Sequence, residues 1–154
     1  MHIVKGDLIH LALTGRFDVI IHGCNCFCTM DAGIARQIRT LFPEAFAADC
    51  ATIPGDKIKL GTITTVTVRP RNRSLTVVNA YTQFHYAGSG VLVDYPAVES
   101  VFKAVKTTFS GQKIAYPKIG AGLARGSWEK IASIIDGQLA GEDHTLVEYS
   151  QTES

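Results

Sequence analysis

Three cysteines alternate within five residues, Cys24, Cys26 and Cys28, flanked by His22, Asn25 and Asp31. Thiols, an imidazole, an amide and a carboxylate so close together invite a metal or a nucleophile. The spacing argues against metal: C-x-C-x-C lacks the second pair that a zinc site needs, and no metal site is expected. Neighbouring cysteines this close also cannot pair without strain. His22 sits near the end of an apolar run, VIIHGC. Such a histidine is either a satisfied core residue or a neutral imidazole that takes a proton from water. Asn25 suits a strand-end turn, and Asp31 a solvated loop.

Glycine marks a second candidate, KIGAGLARG over residues 118–126. Gly120 and Gly122 fit the start of a dinucleotide fingerprint. Arg125 stands where its third glycine belongs, and no βαβ unit with an acidic ribose ligand follows, so a nicotinamide-binding domain is excluded. No phosphate-binding loop ending in G-K-[ST] occurs. The bland reading of both loops is a tight strand-to-helix connection. The functional one is a backbone that approaches a phosphate and meets it with N–H groups. Arg69, Arg71 and Arg73 form a basic turn without interleaved aromatics, which suits a solvated hairpin.

The elements that must carry these loops alternate. Strands are expected over 2–5, 18–24, 62–69, 74–81, 113–117 and 144–149, from short β-branched runs. A helix over 33–42 places Ile34, Ile38, Leu41 and Phe42 on one stripe and stops at Pro43. Another spans 95–109, and a third spans 127–139 with Ser127 as N-cap. Residues 70–72 turn a hairpin between two strands, so the sheet is mixed. The expected fold is a three-layer α/β/α sandwich with a mixed central sheet. Trp128 is read as an anchor for the last helix.

At 154 residues, 46% apolar and 19% charged, the chain makes one globular domain, read as 1–150 with a tail at 151–154. No apolar run is long enough for a membrane span, and the first residues lack a signal-peptide layout, so a cytoplasmic protein is expected. A net charge of +1 argues against nucleic acid as a partner, though not against a small anion.

Four segments in order, VKGDL (4–8), VIIHGCN (19–25), AGIARQI (32–38) and YPKIGAGLARGSW (116–128), resemble the macrodomain pattern over nearly the whole chain. The likeness is closest to the branch of ADP-ribose-1″-phosphate phosphatases. It implies a pocket for ADP-ribose or ADP-ribose-1″-phosphate and no cofactor. Asp7 would accept from the adenine amino group, supported by the Leu8 backbone, and Asn25 would hold the distal ribose. Ala32, Gly33, Ile34 and Ala35 would face the diphosphate from one side. Ile119, Gly120, Ala121, Gly122, Leu123 and Ala124 would face it from the other. His22, Asn25 and Asp31 would be the catalytic candidates.

Two departures bear on the chemistry. Ala35 stands where many ADP-ribosyl hydrolases of the family carry an acid, and the loop NAYTQFHYAG (79–88) lacks the lysine used by another branch. Three activities therefore compete. The first is a phosphatase removing the 1″-phosphate. The second is a non-catalytic reader of ADP-ribose. The third is a hydrolase releasing ADP-ribose from modified protein or nucleic acid by other residues.

Overall fold

The computed structural model describes residues 1–151; the remainder of the tail read at 151–154 lies outside the described residues. Six strands form one sheet: β1 (His2–Gly6), β2 (Val19–Cys24), β3 (Ile63–Val68), β4 (Leu75–Tyr81), β5 (Ile114–Tyr116) and β6 (His144–Tyr149). Their order is β1-β6-β5-β2-β4-β3. Every neighbouring pair is parallel except β3 with β4, which are antiparallel. This antiparallel edge is what the turn at residues 70–72 requires, because a short connection cannot make a parallel crossover.

Helices cover both faces: α1 (Leu8–Leu13), α2 (Gly33–Leu41), α3 (Pro43–Cys50), α4 (Tyr95–Phe109) and α5 (Trp128–Gln138). The two-residue period of the strands divides the core. Val19, Ile21, Val78 and Ala80 meet α4 and α5, while Ile20, Cys24, Val77 and Tyr81 meet α1, α2 and α3. The three-layer α/β/α sandwich is thus present. None of the described helices is long and apolar enough to cross a membrane.

One helix escapes the sequence pattern. Pro43 ends α2, as expected, but it also occupies the first turn of α3, where its missing N–H costs nothing. The segment PEAFAADC buries Ala45 and Asp49 and shows no continuous apolar stripe, so periodicity does not reveal it. Trp128 is half-buried against the α4–α5 core, in keeping with an anchoring role.

The α3 layer rests on a buried polar chain. His22 and Asn79 are register partners on β2 and β4, and both are fully buried. His22 Nε2 lies 2.6 Å from Asn79 Oδ1, and Asn79 Nδ2 donates to the Ala45 carbonyl of α3 at 2.9 Å and to Thr64 Oγ1 at 3.1 Å. Thr64 in turn lies 2.9 Å from the Tyr81 hydroxyl, which donates to Asp49 Oδ1 at 2.8 Å. Lys59 closes the chain, with Nζ 3.5 Å from the same carboxylate. Sheet, helix and the segment before β3 are therefore tied by groups that would be costly to leave unpaired.

Burial drives the His22 pKa down from 6.5 to about 4, against weaker raising effects from Asn79 and Asp49. The neutral imidazole is the folded form. Its stabilising effect is complete above the unfolded pKa and is lost as pH falls from 6.5 toward 4, because only the unfolded chain takes up the proton there. The loss is about 3 kcal/mol. Urea unfolding at a series of pH values should show this decline, and His22→Gln should flatten it even though His144 is also held low by burial.

Candidate functional site

β2 and β5 run parallel, with Val19 opposite Ile114 and Ile20 opposite Ala115. Both therefore leave the sheet at the same edge, and each feeds a loop that opens a helix, α2 or α5. Between the two loops lies a cavity of about 450 Å³. It occupies the carboxyl ends of the strands, where open α/β sheets bind ligands.

One wall comprises Asp31, Ala32, Gly33, Ile34 and Ala35, and the other Ile119, Gly120, Gly122, Leu123 and Ala124. The first wall is the start of α2. Its N-cap, Ala32, has no side chain that can accept a hydrogen bond. Among the described residues, the N–H groups of residues 32–35 find no protein acceptor. The same holds for Gly120, Gly122, Leu123 and Ala124. Eight backbone donors thus flank one cavity, fixed in place and free of side-chain entropy cost. Ala121 is not on the cavity; it packs against the core formed with α4 and α5.

Arg125, the residue that breaks the dinucleotide fingerprint, has a different task. It adopts φ +59°, and its guanidinium donates to the Gly90 carbonyl at 2.6 Å and to the Gly88 carbonyl. The Ala124 carbonyl accepts from Leu92 N at 2.9 Å. The 88–92 segment is stapled to the glycine loop, and Leu92 reaches the cavity.

Asp7 and Leu8 line a second cavity of about 510 Å³, at the end of β1 and β6. The two cavities share Gly33, Ile34, Pro117 and Lys118, so they form one groove. Asp7 also caps α1, accepting from His10 N at 2.9 Å through one oxygen. The structural and functional readings of this residue are compatible.

Asn25 lines the first cavity and also builds its own turn. Its Oδ1 accepts from Phe27 N at 2.7 Å, and its Nδ2 donates to Thr29 Oγ1 at 2.8 Å. Asp31 sits at the rim, largely exposed, 3.0 Å from Arg39 Nη1. Its carboxylate faces solvent.

His22, a catalytic candidate from the sequence, does not line the cavity. It is one residue behind the lining formed by Gly23, Cys24 and Asn25, and its ring bonds to Asn79, which reaches α3 through the Ala45 carbonyl. The ring is fully buried, 2.6 Å from Asn79 Oδ1 and 3.7 Å from the sulfur of Cys24, which does line the cavity. In the core, His22 links β2 to β4 and, through Asn79, to α3.

Sequence reasoning missed Thr29, Met30, Asp49, Gln83 and Tyr86, which complete the lining. Asp49 is 1% exposed, and its Oδ2 has no hydrogen-bond partner. It comes from α3, the helix that periodicity conceals. Gln83 and Tyr86 come from the loop after β4, whose strand-end position was the available signal.

The glycine loop tolerates a side chain unevenly. A Cβ at Gly126 would collide with Val93 Cγ1 and stand 2.5 Å from the Gly120 carbonyl, whereas one at Gly122 meets nothing within 4 Å. Gly126→Ala should therefore lower stability by about 1–3 kcal/mol in urea unfolding. Gly122→Ala should leave the transition near its wild-type position.

Comparison with known proteins bears on the whole groove. A 17.5 kDa protein of the tk-vs intergenic region of Enterobacteria phage T4 is 35% identical over 143 residues, covering 86% of each chain. The macrodomain of Mycobacterium tuberculosis DarG superposes with a TM-score of 0.71 at 18% identity, covering 98% of this chain and 97% of its own. Thermosipho africanus DarTG, solved in complex with ADP-ribose, gives a TM-score of 0.71 at 16% identity, over 97% of this chain and 41% of its own.

The likeness to DarG and DarTG corrects the expectation that nucleic acid is an unlikely partner. Its physical basis was net charge, which governs the grip on a phosphate backbone. A groove that took one modified nucleotide by backbone donors would need no such field. The model of the Macro domain family matches residues 21–135, most of the chain, and the chain belongs to that family.

Proposed function

We propose that this macrodomain holds ADP-ribose along the groove and releases it from a modified nucleic acid. The eight unpaired N–H groups on opposite walls carry the reading, because a diphosphate is the ligand that needs fixed donors from two sides. Adenine would lie by Asp7, and the distal ribose by Asn25. The likeness to the DarG macrodomain, and to DarTG with ADP-ribose, supports hydrolysis of a nucleic-acid linkage over the other activities.

Asp31 is the group assigned to the chemistry. Arg39 donates to its Oδ1 at the cavity rim and also to the Thr29 carbonyl at 2.9 Å, which ties the carboxylate to the loop after β2. The carboxylate takes a proton from water as the water oxygen bonds to C1″ of the distal ribose. The bond from C1″ to the acceptor breaks with its electron pair moving to the acceptor atom, which solvent protonates. The products are ADP-ribose and the unmodified acceptor. Asn25 orients the ribose through its amide. Removal of a 1″-phosphate draws less support, since its assigned base, His22, is outside the cavity.

The test is incubation with a single-stranded oligonucleotide bearing ADP-ribose on one base, with chromatography of the products. Free ADP-ribose should appear, and Asp31→Asn should slow its release by about 10²–10⁴-fold while ADP-ribose affinity stays within a few-fold. Tight binding with no release would identify a reader. Release of inorganic phosphate from ADP-ribose-1″-phosphate, followed by phosphorus NMR, would identify a phosphatase.

A further inference from the structure

Four aromatic rings stand together where the groove opens beside Asn25, and the reaction just described does not use them. Phe27 comes from the loop after β2; Phe84, His85 and Tyr86 come from the loop after β4. Phe27 contacts all three of the others, with ring centroids 5.1 Å from Phe84, 4.8 Å from His85 and 5.8 Å from Tyr86. His85 and Tyr86 lie 4.5 Å apart, tilted by 33° to each other, and both are exposed.

The cluster is held rigid from below. Cys26 N donates to the Phe84 carbonyl at 2.9 Å, and Gly55 N donates to the Cys26 carbonyl at 2.8 Å. Gln83 Nε2 donates to the His85 carbonyl at 2.9 Å, fixing the loop that presents the outer rings. Phe27 lies so near Gly55 that a Cβ there would come within 3.1 Å of its ring. Exposed aromatics fastened in this way offer stacking area at little entropic cost.

The position is the second observation. Tyr86 and Gln83 line the cavity next to Asn25, at the end remote from Asp7. Whatever carries ADP-ribose through its distal ribose must leave the groove there. We propose that Phe27, Phe84, His85 and Tyr86 form a stacking platform for the nucleobase that bears the ADP-ribose. Lys57, whose Nζ lies 5.7 Å from the Phe84 ring centroid, is placed to meet a phosphate of the same strand. This rests on the nucleic-acid reading above and adds the means by which the acceptor is selected.

A planar base has a π-face that an exposed aromatic ring can meet, and stacking of this kind is tolerant of base identity. The aliphatic carboxylate or hydroxyl of a modified peptide side chain has no such face.

Equilibrium binding in the Asp31→Asn background, which keeps the probes intact, tests the platform with three probes: free ADP-ribose, a single-stranded oligonucleotide with ADP-ribose on a central base, and a peptide with ADP-ribose on a glutamate. The oligonucleotide should bind about tenfold tighter than free ADP-ribose. His85→Ala should erase that gain and leave the affinity for free ADP-ribose unchanged; Tyr86→Trp should keep it. The platform alone is overturned if ADP-ribose binds but the oligonucleotide gains nothing, if the peptide gains as much, or if His85→Ala weakens both ligands equally. Absence of any ADP-ribose binding overturns the groove assignment and the platform together.

Discussion

The parallel register of β5 against β2 places Ile114 beside Val19 and Ala115 beside Ile20, and the rest of the site follows from it. Two chains that leave a sheet at one edge must both turn back through a loop into a covering helix. Here both loops are rich in small residues, and the starts of both connections keep N–H groups that no protein atom accepts. Were β5 antiparallel to β2, its loop would emerge at the opposite edge, and the donors would never face each other across a cavity. β2 is central and its Val19, Ile20 and Ile21 are fully buried, so this register is held by core packing on both faces.

The polar chain beneath the site acts on the same geometry from the other side. His22, Asn79, Thr64, Tyr81, Asp49 and Lys59 run from the central strands to α3 and the segment before β3. Asp49 reaches the cavity from that layer, so the floor of the pocket and the packing of α3 are one structure. A neutral His22 and a Tyr81 hydroxyl held well above its usual pKa by burial keep the chain hydrogen-bonded without added charge. The sole buried ion pair in it, Lys59 with Asp49, is also the place where an oxygen is left unpartnered, beside the ligand groove.

Much of this was legible from residue order. Strands with β-branched runs, helices with apolar stripes, and the two small-residue loops all carry their signal locally, within a dozen residues. What was hidden depends on neighbours distant in sequence. His22 looked like a base because it is near Asn25 along the chain, yet strand alternation points it to Asn79, 57 residues away. α3 was concealed because PEAFAADC buries a carboxylate where a stripe would put a leucine. The aromatic rim was hidden because Phe27 and Phe84 meet only once β2 and β4 are paired. Net charge misled about nucleic acid for a related reason: a whole-chain sum says nothing about donors gathered at one edge of a sheet.

The central claim is that one ligand bridges the two walls through backbone N–H groups. Proton–nitrogen correlation NMR during titration with ADP-ribose reads those groups directly. Saturable shifts are expected in the amides of residues 32–35 and in Gly120, Gly122, Leu123 and Ala124, with both sets following a single dissociation constant. Shifts confined to one wall, or spread over the surface without saturation, would contradict it.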